Sequence, residues 1–216
     1  MSREQVLGRI RRSLNRKGPL PAGVAAGLER RTANSAPHIL PAMAETPEAR
    51  FQQKLEGVAG SMARCSAGAG ISEAVVEFLE ARGLPLSITV SEDELIDSVS
   101  WSNRLDVRKG LPDPADVTSV TGAFAAVAET GTVVMISDRE TPTSLNLLPE
   151  NHIVAVRSDR VFKHQEEVWQ ALRKRPGGMP RTVNFITGPS RTGDVEQVLQ
   201  LGAHGPRDLH VLMVED

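Results

Sequence analysis

The 216-residue chain is long enough to bury a full core, and its 40% hydrophobic and 24% charged residues are ordinary proportions for a soluble globular protein. No apolar run approaches the roughly 18 residues that span a bilayer, no apolar signal-like region opens the chain, and the single cysteine, Cys65, excludes an internal disulfide. The formal charge of −2 is unevenly spread: residues 1–31 hold eight Lys/Arg against two acids, a net of +6, which leaves −8 for the remainder.

A lone cysteine fits a reducing cytoplasm, and it excludes an iron–sulfur cluster or a Cys-type zinc site built by this chain alone. No metal is expected, because the five histidines show no ligand spacing. The basic arm suits nucleic acid, anionic lipid or an acidic protein. It contains no aromatic residue to stack on bases, and the chain has no Tyr, so nucleic acid is the least favoured partner.

In chain order, Ser2–Arg16 reads as an amphipathic helix with Val6, Leu7, Ile10 and Leu14 on one face. Gly18–Pro41, rich in Pro, Gly and Ala, reads as an extended linker, so residues 1–44 are an arm and 45–216 a single α/β domain. Thr46-Pro47 has the form of an N-cap followed by proline in the first turn, opening a helix that should run to about Cys65. A second helix is expected over Ile71–Arg82, a strand over Leu86–Val90, and a short helix near Glu94–Val99. Val117–Ser137 reads as two strands joined by a tight turn at Thr130-Gly131. A turn or short helix follows at Ser144–Leu148, then a core strand at His152–Val156 and a helix over Val161–Lys174.

The closing stretch, Arg181–Asp216, has two β-branched runs, Val183–Thr187 and Leu209–Val214, around a short helical pattern at Val195, Val198 and Leu199. Strand, loop, helix, loop, strand is the grammar of a right-handed parallel crossover. Ligands in open α/β sheets sit beyond the carboxyl ends of such strands, which makes Gly188, Ser190, Arg191 and Thr192 candidate ligand-binding residues for a carboxylate or phosphate. The plainer alternative is that Ser190 or Thr192 caps the helix while Arg191 pairs with Asp194.

Glu129 is the sharpest catalytic candidate. A carboxylate inside a small-residue apolar run needs a partner or a function, as a base or nucleophile or in an ion pair with Arg139 or Arg191. The adjoining Thr130, Gly131 and Thr132 would let a ligand approach the backbone. His204 lies at the other end of the expected crossover from Arg191 and reads as a loop or interface residue. His152 and His210 read as structural histidines, and Cys65 as a small half-buried residue.

Four motifs in order, A-E-T-G-T at 128–132, L-P-E-N-H-I at 148–153, G-P-S-R-T-G-D-V-E at 188–196 and G-A-H-G-P-R-D-L-H-V at 202–211, resemble the lactate-utilisation (LUD) domain family. The resemblance covers most of the chain from about residue 45, and Gly193 departs from an expected alanine. It implies a three-layer α/β sandwich with a mostly parallel sheet, similar to the sugar-phosphate isomerase and CoA-transferase superfamily and to formyltetrahydrofolate cyclo-ligase. It also implies a role in oxidising L-lactate to pyruvate alongside partner proteins that carry iron–sulfur clusters, with no cofactor on this chain. An acyl- or CoA-transferring enzyme using Glu129, or a non-catalytic binding or regulatory protein docking through residues 2–16, are the other readings.

Overall fold

The computed structural model describes residues 2–16, 18–33, 40–192 and 200–215. The chain divides into two compact units, Met1–Leu40 and Pro41–Asp216. In the first, helix α1 (Arg3–Ser13) opens with a capping box in which Ser2 and Gln5 satisfy each other's backbone N–H. Helix α2 (Ala22–Ala33) occupies much of the stretch expected as an extended linker. The physical reason is alanine: after Pro21 starts the turn by accepting from Val24 and Ala25 N–H, the Ala-rich run has high helix propensity.

The larger unit runs α3 (Pro47–Gly57), β1 (Ser61–Ser66), α4 (Ala69–Ala81), β2 (Ser87–Val90), α5 (Glu94–Asp97), β3 (Asp106–Lys109), β4 (Thr118–Gly122), β5 (Ala125–Val127) and β6 (Thr132–Ser137). It continues through α6 (Ser144–Leu147), β7 (Asn151–Arg157), β8 (Val161–Phe162), α7 (Gln165–Lys174), β9 (Thr182–Ile186), β10 (Arg191–Thr192), β11 (Gln200–Leu201) and β12 (Asp208–Glu215). Six strands form one parallel sheet in the order β1-β12-β7-β4-β2-β3. Its central strands β12, β7 and β4 are buried almost throughout, which is why their sequences are continuous apolar or small-residue runs rather than alternations. A second sheet, β8-β5-β6-β9, is mixed, and a two-stranded ribbon pairs β10 with β11.

The α/β class with a large parallel sheet is as expected. On one face α4 packs Ile71, Val75, Phe78 and Leu79 against Val120, Ile153, Leu212 and Val214. The other face is covered by α3, through Phe51 and Leu55, together with the inner side of the second sheet. A third apolar cluster lies between that sheet's outer side and Val168 and Leu172 of α7.

Three local expectations are corrected. The helix from Thr46 stops at Gly57, where Ala59 takes a positive φ of 65°, and Cys65 lies on strand β1 beside Val214. The helix expected from Val161 begins four residues later, because Val161-Phe162 pairs with Ala126-Val127 as β8. The closing segment is not one crossover: β9 runs antiparallel to β6 in the second sheet, while β12 lies in the large one. Half-burial along β9, with Asn184 in mid-strand, marks a sheet covered differently from the fully buried β12. The expected helical residues Val195, Val198 and Leu199, and Gly193, Asp194 and Glu196, lie outside the described residues.

Candidate functional site

The hairpin turn between β5 and β6 carries Glu129, Thr130 and Gly131. Gly131 takes φ 69° and donates its N–H to the Val127 carbonyl; a Cβ there would stand 2.4 Å from the Leu55 backbone nitrogen. Gly188, at φ 82°, approaches α3's end in the same way, 2.7 Å from a Val58 methyl. Both motif glycines are therefore needed for the backbone to close on the last turn of α3. The two loops are also joined directly, since Thr132 Oγ1 shares hydrogen bonds of 2.6 Å with Thr130 Oγ1 and with Thr187 Oγ1.

The Gly188–Thr192 segment sits at the amino ends of the large sheet's strands, not at the carboxyl end of a parallel strand. Ser190 N–H donates to the Pro206 carbonyl at 2.8 Å, and its carbonyl accepts from Gly202 N–H at 3.0 Å, two residues before β12 and at the foot of β11 respectively. His204 N–H reaches Ser190 Oγ at 3.4 Å. Residues expected at opposite ends of a crossover thus share one loop cluster, because the return through β10 and β11 is an antiparallel ribbon. Arg191 is exposed on that ribbon, and Thr192 is paired in register with Gln200.

Glu129 pairs with neither expected arginine. Its Oε2 lies 3.1 Å from Nδ1 of the mostly buried His164 at the start of α7, and its N–H donates to the Lys163 carbonyl. A half-buried carboxylate orienting an imidazole is a unit able to move a proton. His164 was not singled out in the sequence; the apolar setting of Glu129, which demanded a partner, was the signal that could have led to it.

The carboxyl ends of β2, β4 and β7 open instead on a different place. There the chain leaves the large sheet at Gly122 and enters the second one at Ala125, with Ala123 N–H bonded to the Ala155 carbonyl and Phe124 N–H to the Val134 carbonyl. The seam leaves a cleft of about 200 Å³ lined by Asp93, Gly122, Phe124, Asp138, Arg157 and Arg160 among others. Asp93 is fully occupied as a structural bracket: Ser91 Oγ and the N–H groups of Leu95, Ile96 and Gly122 all donate to it. A Cβ on Gly122 would collide with that carboxylate at 2.3 Å. Burial pushes the Asp138 carboxyl up, but donors from Thr141 and Glu140 and the charge of Arg175 outweigh it and hold the group below its ordinary value. Applying the carboxyl-end rule to β7 rather than to β9 would have found Arg157 from sequence.

The structural histidines are confirmed as core groups. His152 shares a 2.7 Å bond with Thr121 Oγ1 and is pushed by burial down to about 3. His210 stacks on Phe78, shares a 2.8 Å bond with Ser61 Oγ, and is pushed by burial and the Arg82 charge down to about 4. Burial, with Glu215 nearby, raises the Cys65 thiol to about 11, which suits a packing residue and not a nucleophile. Among the described residues no group of three or more His, Cys, Asp or Glu could hold a metal ion.

Residues 115–214 match the LUD domain. Over that stretch, a little under half of its length, the chain is similar to the LUD domain. That match takes in β4 to β12 almost entire, and with them the motif loops, Glu129, His164 and the arginines of the cleft. Over 122 residues the chain is 30% identical to uncharacterized protein NMB1437 of Neisseria meningitidis, covering 56% of this chain and 52% of that one. Over 120 residues it is 30% identical to lactate utilization protein C of Shouchella clausii, covering 54% of this chain and 52% of the relative. The matched stretch therefore spans about half the length of these curated relatives. A crystal structure of a DUF162 family protein from Deinococcus radiodurans shares the fold with a TM-score of 0.58 at 20% identity, over 81% of this chain and 99% of that one. Among the described residues no helix is long and apolar enough to cross a membrane.

Proposed function

We propose that this protein belongs to the LUD-domain family and is a non-iron–sulfur component of a system that oxidises L-lactate to pyruvate. The observation that carries the reading is the LUD match together with relatives named lactate utilization protein C. Converting L-lactate to pyruvate releases two electrons and two protons, so an electron acceptor is required. One cysteine cannot supply the thiolates of a cluster, so in this reading the acceptor's iron–sulfur groups belong to partner proteins. In this reading the exposed Arg191, next to Ser190 and Thr192, contacts an acidic group of a partner or a small carboxylate.

The test is growth on L-lactate as sole carbon source in a strain with no other L-lactate-oxidising enzyme. Deleting the gene should abolish growth, wild type should restore it, and Arg191→Ala should restore it poorly. Normal growth after deletion would remove the lactate assignment, while full rescue by Arg191→Ala would leave the pathway and return that loop to a structural role.

One geometric observation favours a second reading, an acyl- or CoA-transferring enzyme: Glu129 is a half-buried carboxylate held by His164 in the turn beside Gly131. Attack of the Glu129 carboxylate on an acyl-CoA carbonyl would form a mixed anhydride and release the CoA thiolate, which then returns to give a glutamyl thioester and a free acid. Trapping such a thioester by mass spectrometry in wild type, and its absence in Glu129→Gln, would establish that chemistry; no adduct with any acyl-CoA would dismiss it.

A further inference from the structure

We propose that the cleft at the carboxyl ends of β2, β4 and β7 binds a small monocarboxylate, gripped by Arg160 and seated against Phe124. This deepens the lactate reading by giving it a ligand site on the opposite edge of the sheet from the motif loops. Arg157 and Arg160 are three residues apart across a 3-10 turn, Ser158–Arg160, a spacing that brings i and i+3 to the same side. Arg157 is anchored by Asp159, its Nε 3.2 Å from Oδ1. Arg160 makes no ion pair among the described residues; its guanidinium instead lies 5.9 Å from the centre of the Phe124 ring. An aromatic face under a guanidinium holds it in place and leaves its N–H edge for an acceptor.

The size and charge of the cleft limit what that acceptor belongs to. About 200 Å³ is below the roughly 300–1,000 Å³ of sites that enclose drug-sized ligands, so a dinucleotide or a coenzyme does not fit within it. Asp93 and Asp138 are saturated by donors, but with exposed Glu94 at the rim the walls still hold three acids against two arginines. A dianion such as phosphate meets that field twice over. A single carboxylate meets it once, and its short carbon tail finds an apolar wall in Ala123, Phe124 and Ile136. Gly122 leaves room for the Asp93 bracket, since a Cβ there would overlap the carboxylate.

Binding to the purified full-length chain can be measured by ligand-observed NMR and calorimetry with L-lactate, pyruvate, acetate and inorganic phosphate as probes. Saturable binding of at least one carboxylate is expected, weakened roughly tenfold or more by Arg160→Ala and partly regained by Arg160→Lys, as loss of a charge-assisted contact requires. Arg173→Ala, an exposed charge removal on α7, should leave affinity unchanged. Thermal melts should show Arg160→Ala folded, because the side chain is exposed. Absence of saturable carboxylate binding, equal or tighter phosphate binding, or loss of binding in Arg191→Ala but not in Arg160→Ala would each overturn the assignment. These outcomes are separate from the growth test: a carboxylate bound in the cleft by a protein dispensable for lactate growth would keep the site and remove the pathway.

Discussion

At the amino ends of β1, β12 and β7 the loops lock together. Gly131 and Gly188 close on the backbone and side chain of α3's last turn, three threonine hydroxyls chain the loops to each other, and Ser190 is bonded into the run before β12. At the carboxyl ends of β2, β4 and β7 the same sheet meets a second one at a bend and leaves a cleft with a guanidinium that has no ion pair among the described residues. The motif-dense end is thus close-packed, and the end with few recognisable motifs holds the room. Recurring Gly, Thr and Ser in a loop report tight backbone approach at least as readily as they report a ligand.

The largest effect that separates the two ends should come from acid. His152 and His210 enter their strands at the amino end, and both have folded pKa values below the ordinary 6.5. Between those values and 6.5 the unfolded chain binds protons that the folded chain refuses. Their contribution is therefore intact above pH 6.5 and is lost as pH falls toward about 4 for His210 and about 3 for His152. Each should remove about 1.4 kcal/mol per pH unit within its window. Urea midpoints compared at neutral pH and near pH 5 measure it; equal midpoints would mean that the amino end opens enough to solvate both rings. Gly131→Ala should follow, at about 3 kcal/mol, since the added Cβ both strains a positive φ and overlaps the Leu55 nitrogen. A urea midpoint close to wild type in that variant would show that α3 yields easily, and that the cluster is looser than its contacts imply.

Much of this architecture was legible in the sequence, for identifiable reasons. The buried strands β4, β7 and β12 announce themselves because both faces are covered and their apolar runs are unbroken. The turn at Thr130-Gly131 follows from the glycine that a positive φ requires. Sheet membership was not legible: β9 and β12 are both β-branched runs, and nothing local says that one pairs antiparallel with β6 and the other parallel with β7. Because of that, the carboxyl-end rule applied to β9 puts the Gly188–Thr192 loop at the wrong end of the large sheet. Arg160 was invisible for a different reason, since an arginine after a strand acquires meaning only once Phe124, thirty-six positions earlier, is folded beneath it.

Smaller substitutions sharpen the contrast further. Thr132→Val keeps the shape of the side chain but removes the hydroxyl that bridges Thr130 and Thr187, and should lower stability by about 1 kcal/mol. A double variant with Thr187→Val should lose much less than twice that, because the second change removes a partner already lost; simple additivity would show that the threonines act separately.

Arg160→Ala should have the smallest effect on stability, within about 0.5 kcal/mol, because the side chain is exposed and makes no ion pair among the described residues. That figure includes the contact with the Phe124 ring, which at 5.9 Å lies near the limit of a cation–π interaction and so at or below the low end of the about 0.5–1 kcal/mol of exposed cases. Under the proposed carboxylate site, a group that contributes this little to folding should matter to ligand binding instead. The discriminating measurement is the urea midpoint with and without a saturating carboxylate. Wild type should gain stability as ligand concentration rises above its Kd, and Arg160→Ala should not, while Gly131→Ala, destabilised at the far end, should still gain. If Gly131→Ala lost the ligand response and Arg160→Ala kept it, the two ends would exchange roles, and the binding site would lie among the motif loops after all.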